Sequence, residues 1–455
     1  MLRLLRVAAP LVVVVVAYVG FATHRDFVFP PPLAEPRGWD DPGAGYYAEL
    51  AEGFRRGTLS MAIAPDPRMA TLENPYDYGQ RDAAKISYLW DASWYRGEYH
   101  LYFTPLPAIL FYLPFRIATG AYPHDTMAAV FFSAWAFLAA ALFFLRAFPA
   151  AGWFPRLVWI LFLGLANLIA FNLPAARVYE VAIMAGMAFS AMWAYALLRF
   201  EERRSLFWTA SIGFWLGLAI VTRPNLAVLL LPSVLILFAR RQWSTVVAAL
   251  APFLLVLGAN AAYNHARFGN PLETGITYQL NYIAMQGQPR CSIANCAEAA
   301  RFANNALQYT FLPPHLSPKF PHVTAPAAWM DRATSWPGDF EELVGVIPLV
   351  PLAALAPFAM LFLQPLPRPA AATLAGAWLV LFGLATCWWL VSRYTLDFAL
   401  LMTLGTATIL ESALQRIGAS GARVAALRVA VFALAVYSIV LGWGLGVGGR
   451  DGGVG

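Results

Sequence analysis

Apolar runs long enough to cross a bilayer recur along almost the whole 455-residue chain, interrupted by two long polar stretches. A hydrocarbon core of roughly 30 Å takes about 20 apolar residues per helical crossing. Backbone groups in lipid must be satisfied internally, so runs of this length imply helices rather than a barrel. The composition agrees, with 60% hydrophobic and 12% charged residues, too apolar for a soluble fold. The expected fold is an all-α polytopic membrane protein of about eleven transmembrane helices. Spans are expected near 7–23, 126–145, 157–173, 179–198, 206–221, 225–239, 244–262, 343–363, 371–391, 395–411 and 429–447. No internal repeat and no second soluble domain is evident, so residues 1–455 read as a single membrane domain.

Arginines in the short connections set the expected orientation, because cytoplasmic loops retain positive charge on insertion. Arg3 and Arg6 precede the first span, and Arg146 with Arg156, Arg199 with Arg203 and Arg204, Arg240 with Arg241, Arg368, and Arg416 with Arg423 and Arg428 fill every second connection. The N-terminus is therefore expected inside, and the Gly-rich tail after 447 outside. A cleaved signal peptide ending near Gly20-Phe21-Ala22 is the alternative for the first segment. Two long loops then lie outside, 24–104 and 263–341, both rich in Pro, Tyr, Trp and Asn and able to fold against the membrane and each other. Residues 105–119 are too short to cross and carry prolines; they are expected as a helix in the outer interface, flooring a cavity. The Arg223-Pro224 break predicts a tight hairpin between two partly buried helices.

Several function classes lack a signal. The net charge of +6 is explained by inner-face arginines and anionic headgroups, with no call for nucleic acid. No Walker A, no dinucleotide-binding glycine pattern and no H-E-x-x-H is present. His265, His315 and His322 are scattered, so neither a metal nor a cofactor is expected. Cys291 and Cys296 sit close together in the second outer loop, where a disulfide is expected, with a metal pair as the alternative. Cys387 lies inside a span as a packing residue.

The scarce charges at membrane edges, Asp40, Asp41, Glu180, Arg223 and Arg393, all fall on one expected face. Adjacent carboxylates repel, and partial desolvation raises at least one pKa, so Asp40 or Asp41 suits a base; an acidic cap on a helix starting near Tyr46 explains them equally. Glu180, directly after Tyr179, suits substrate contact or an ion pair with Arg177 or Arg223. Asp397 stands four residues from Arg393 and is expected to lock it. Trp90, Trp94, Tyr95, Tyr99, Tyr102 and Phe103 suit ring stacking, a lipid groove or an interfacial belt.

These residues carry a resemblance. Asp40-Asp41 in the first outer loop, the Tyr46-Tyr47-Ala48-Glu49-Leu50 segment, the Trp90-Asp91 to Phe103 stretch leading into Pro105-Leu106-Pro107, and Ser392-Arg393-Tyr394-Thr395-Leu396-Asp397-Phe398 together resemble membrane glycosyltransferases of the type C fold. That group includes protein O-mannosyltransferases and the lipid A aminoarabinose transferase. The motif likeness covers roughly the N-terminal half, and the C-terminal third matches mostly in helix pattern. The resemblance implies a polyprenyl-phosphate-linked sugar donor, an acceptor outside the cytoplasm, and an acidic residue of the first outer loop as base, placed on Asp41 with Asp40 as neighbour or substitute. Family members often have Asp-Glu where this chain has Asp-Asp. A guanidinium binds a departing phosphate without deprotonating, which assigns donor phosphate binding to Arg223, Arg393 and Arg177, with Lys85 beside them. Tyr46, Tyr47, Asp91, Trp94, Tyr179 and Glu180 are the expected substrate contacts. The implied setting is a bacterial inner membrane with the site on its periplasmic face. A secondary transporter or flippase is the alternative, which predicts polar residues at span midpoints and related halves; a non-catalytic assembly protein would tolerate neutralised Asp40 and Asp41.

Overall fold

The structure, a computed structural model, describes residues 2–36, 45–238, 243–280, 296–328, 342–387, 390–417 and 421–449, without the side chains of 2–7 and 296–298. In chain order its helices are α1 (Leu2–Ala22), α2 (Tyr46–Arg55), α3 (Tyr78–Ala83), α4 (Leu113–Thr119), α5 (Asp125–Ala147), α6 (Trp153–Leu165), α7 (Ile169–Asn172), α8 (Val178–Arg203) and α9 (Leu206–Thr222). They continue as α10 (Leu230–Phe238), α11 (Trp243–Phe268), α12 (Cys296–Phe311), α13 (Val346–Leu349), α14 (Leu352–Leu361), α15 (Arg368–Ala385), α16 (Leu396–Arg416) and α17 (Ala422–Gly448). The described sheet is two small hairpins, β1 (Ser93–Tyr95) with β2 (Glu98–His100), and β3 (His315–Leu316) with β4 (Val323–Thr324).

Among the described residues seven helical segments are long and apolar enough to span a membrane: Asp125–Ala147, Trp153–Asn172, Val178–Arg203, Trp243–Phe268, Arg368–Ala385, Ser392–Arg416 and Ala422–Gly448. The chain is an all-α, multi-pass membrane protein. The other four expected spans fall on shorter apolar helices, Ala8–Ala22, Leu206–Thr222, Pro224–Phe238 and Leu352–Leu361. Proline is one cause: Pro224 ends α9, and Pro351 stands at the N-cap of α14, where the run at 343–363 divides. The segment expected in the interface forms a π turn over Ala108–Tyr112 running into α4, burying Ala108 and Tyr112 while Ile109 and Ile117 stay exposed.

α8 is the central helix, flanked by α5, α9 and α16, while α11 packs along α9. The closeness of α9 and α11 depends on Gly213, where a Cβ would stand 1.8 Å from the carbonyl oxygen of Ala249. The expected tight hairpin around Arg223-Pro224 takes a different form. α9 packs against α8 and α11, whereas Pro224–Leu229, a 3₁₀ turn, packs against α15. The turn's tighter winding redirects the chain onto a new neighbour.

Arg146 at the end of α5 bonds Glu202 at 3.0 Å, and Arg416 and Arg428 donate to the carbonyls of Pro365 and Leu414. Leu414 lies in the last turn of α16, where the helix dipole favours a cation. The first and second loops grip each other: Arg81 donates to the carbonyl of Leu280 at 2.7 Å, Ser93 to that of Gly275 at 2.8 Å, and Arg267 to that of Leu101 at 2.6 Å.

His100, at the end of β2, is buried at this loop junction. Burial first, and the charge of Arg267 second, lower its pKa to about 4; exposed Glu98, at 3.8 Å, is too solvated to offset them. The unfolded chain takes up this proton below about pH 6.5 while the folded one does not. Stability is therefore expected to fall as pH drops from about 6.5 to 4, by at most about 3 kcal/mol from this group. Thermal unfolding in nanodiscs at the two pH values checks this, and His100→Gln should reduce the difference.

Candidate functional site

The site begins where α9 stops. Pro224 cannot continue the helix, so Arg223 takes an extended conformation, φ −139°, and turns its side chain across the loop-side end of the bundle. Space for its stem comes from Gly186 of α8, where a Cβ would lie 2.6 Å from Arg223 Cγ. Gly186→Ala is expected to cost about 1–3 kcal/mol and to displace the guanidinium, read as a lower unfolding temperature.

Arg223 meets Asp397, which is buried in the first turn of α16, where the helix dipole favours a carboxylate. Nε donates to both carboxylate oxygens at 3.1 and 3.2 Å, Nη2 donates to Oδ2 at 2.7 Å, and Asn225 Nδ2 adds a bond to Oδ2 at 2.8 Å. This corrects the expected Arg393–Asp397 lock. Residues 392–395 form a 3₁₀ turn before α16, so a spacing of four does not put the two side chains on one α-helical face.

Arg393 instead lies over the ring of Tyr179, 4.7 Å from its centroid, and 6.0 Å from that of Tyr394. Arg223 stands 5.2 Å from the same Tyr394 ring, so two guanidiniums share one aromatic face-partner. Tyr179 also meets Phe103 edge-on at 5.9 Å, and Phe103 packs on Tyr102 at 4.1 Å. Burial, then the charge of Asp91 and the neighbouring Tyr394, push the Tyr102 phenol well above its ordinary range, with Arg393 pulling the other way. Tyr102 therefore stays protonated and serves as a donor. Asp91, buried, accepts from Gln279 Nε2 at 3.1 Å, which joins the second loop to the site.

Near Arg223 lies Tyr47 of α2, fully buried, with a hydroxyl that has no hydrogen-bond partner among the described residues. Burial and then Asp125 raise its pKa, while Arg223 lowers it. Asp125 accepts from the Tyr112 hydroxyl and, at 3.0 Å, from the Gly45 backbone N–H.

The structure thus brings together Arg223, Arg393, Tyr179, Asp91 and Tyr47 from among the expected residues. Glu180 is buried and accepts from the Arg177 backbone N–H at 3.0 Å, so both residues cap α8. Tyr46 is fully buried on α2. Trp94 packs edge-on against Tyr76 within the loop, at 6.0 Å. Lys85 is exposed in the turn after α3, and among the described residues no contact joins its ammonium to the arginines. Asp40 and Asp41 lie outside the described residues, as does Cys291, and the side chain of Cys296 is not described. Among the described residues no group of three or more His, Cys, Asp or Glu could hold a metal ion.

Sequence reasoning passed over Asn225, Gln279 and Asp125 as functional candidates. Asn225 had a signal, standing two residues past an arginine in an otherwise apolar segment, and Asp125 opens an apolar run; Gln279 had none. The chain matches no protein-family model and no curated protein.

Proposed function

We propose that this protein is a type C membrane glycosyltransferase that moves a sugar from a polyprenyl-phosphate carrier to an acceptor outside the cytoplasm. The observation that carries the reading is the pairing of Arg223 and Arg393 around Tyr394, at the loop-side ends of apolar helices. A lipid phosphate sits at headgroup depth and gains negative charge as its bond to the sugar breaks. Guanidiniums held there in advance stabilise that charge without reorganising. Asp397 occupies Nε and one Nη of Arg223. Arg223 is thereby the anchored member of the pair.

In this reading Asp41, or Asp40, takes the proton from the acceptor hydroxyl or amine, whose lone pair attacks the anomeric carbon. The carbon–oxygen bond to phosphate breaks and polyprenyl phosphate leaves, with inversion at carbon. Tyr102, in this reading, hydrogen-bonds the sugar, with Asp91 beside it. The enzyme would work in a bacterial inner membrane, its loops in the periplasm. What supports this over transport is that the described site charges stand at helix ends, where a transporter would place them near span midpoints.

Mass spectrometry of envelope glycans and lipid-linked sugars, with and without the protein, tests the reading. Loss of one glycan modification with accumulation of one polyprenyl-linked sugar is expected, and unchanged pools in both fractions would overturn it. Arg393→Ala is expected to raise the donor KM by about tenfold or more, the worth of one charge-assisted contact.

A further inference from the structure

The turn leading into α5 holds the first loop at four points. Leu33 and Tyr122 exchange backbone bonds, 2.9 and 2.7 Å, in an antiparallel bridge. His124 Nε2 lies 3.1 Å from the carbonyl oxygen of Pro31. The Tyr122 hydroxyl donates to Glu52 in α2, and Asp125 accepts from the N–H of Gly45 at 3.0 Å. Two of these contacts precede residues 37–44 in the chain and two follow them. A stretch of chain that carries two carboxylates is therefore gripped on both flanks by one four-residue turn.

Asp125 is the part of this grip with chemistry of its own. It is buried, it sits in the first turn of α5, and its two oxygens are divided between the Gly45 N–H and the Tyr112 hydroxyl. Gly45 has φ +74°, the left-handed conformation that swings the chain into α2, and Tyr46 and Tyr47 follow at once. Tyr112 belongs to the π turn of the interfacial segment, and its ring lies 5.7 Å from that of Tyr47. One carboxylate thus ties the start of α2, the interfacial segment and a spanning helix together beside Arg223.

We propose that Asp125 is a positioning residue: acting through Gly45, it sets the first loop and the Tyr47 hydroxyl against the arginine cradle for the transfer step. This inference rests on the transferase reading. A structural tie alone would change stability; a positioning tie changes turnover in folded molecules, because a misplacement of about 1 Å costs about 10²-fold in rate. The amide form can still accept from Gly45 with its one oxygen, whereas alanine releases both partners.

The test compares wild type, Asp125→Asn and Asp125→Ala, full-length in nanodiscs, by amide hydrogen exchange over Gly45–Tyr47 and by steady-state transfer. Asp125→Ala is expected to speed exchange at Gly45 by about tenfold or more and to lower kcat by about 10²-fold with donor KM within about threefold. Asp125→Asn should recover most of both. Unchanged exchange in Asp125→Ala overturns the clamp, and unchanged kcat per folded molecule overturns the positioning role. Equal damage in the two variants overturns it as well, since the charge itself would then matter. A wild-type protein that transfers no sugar removes the transferase reading and the catalytic half of this one, while the exchange arm still accepts or rejects the clamp.

Discussion

Asp397→Ala is expected to destabilise the protein by about 3–5 kcal/mol, the usual result of leaving one buried partner of an ion pair uncompensated. Arg223 has only limited exposure and gives three bonds to this carboxylate, with Asn225 adding a fourth. Alanine strands a guanidinium among the apolar ends of α8, α9 and α16. The double change Arg223→Met with Asp397→Leu removes both charges and should recover most of the stability, since apolar replacements of buried pairs are often neutral or better. Transfer should be lost in the single and the double variant alike. Thermal unfolding and donor turnover, measured on all three proteins, separate the structural from the functional contribution. A double variant that regains turnover along with stability would show that the pair only holds the helices together.

Asp41→Asn is expected to leave insertion and folding intact and to lower transfer by about 10²–10⁴-fold, the range over which a positioned base contributes. The substitution keeps shape and removes basicity. Asp40→Asn is the informative companion: a small effect there assigns the proton to Asp41, and a large one makes the two carboxylates a shared site. Single-turnover transfer with saturating donor separates this loss from weaker binding. Full activity in both variants would remove the proposed base.

The two arginines and the base divide the proposed reaction between membrane and loop. Arg223 and Arg393 belong to ends of packed apolar helices, and a packed, rigid element suits charge stabilisation. The proposed base belongs to a loop, which owes its placement to contacts such as those of Tyr122 and Asp125. Changes in the loop are therefore expected to act mainly on turnover, and changes at the helix ends mainly on donor binding.

Class and helix content were legible in the chain itself. Hydrophobic run length and arginine placement are local quantities, and lipid imposes one solution on each run. The exclusion of 105–119 from the long apolar helices was equally readable from its length and prolines. Partner choice was not. Asp397 stands four residues from Arg393 and 174 from Arg223, yet it binds the distant one, because a 3₁₀ turn rotates the near arginine away and Gly186 opens room for the far one. Glu180, read from its position as a substrate contact or an ion pair with Arg177 or Arg223, accepts from the backbone N–H of Arg177 at the start of its own helix. Spacing along a chain predicts contact only where the helix type is known, and long-range pairing depends on which helices approach closely enough, a property of packed volumes that no single segment encodes.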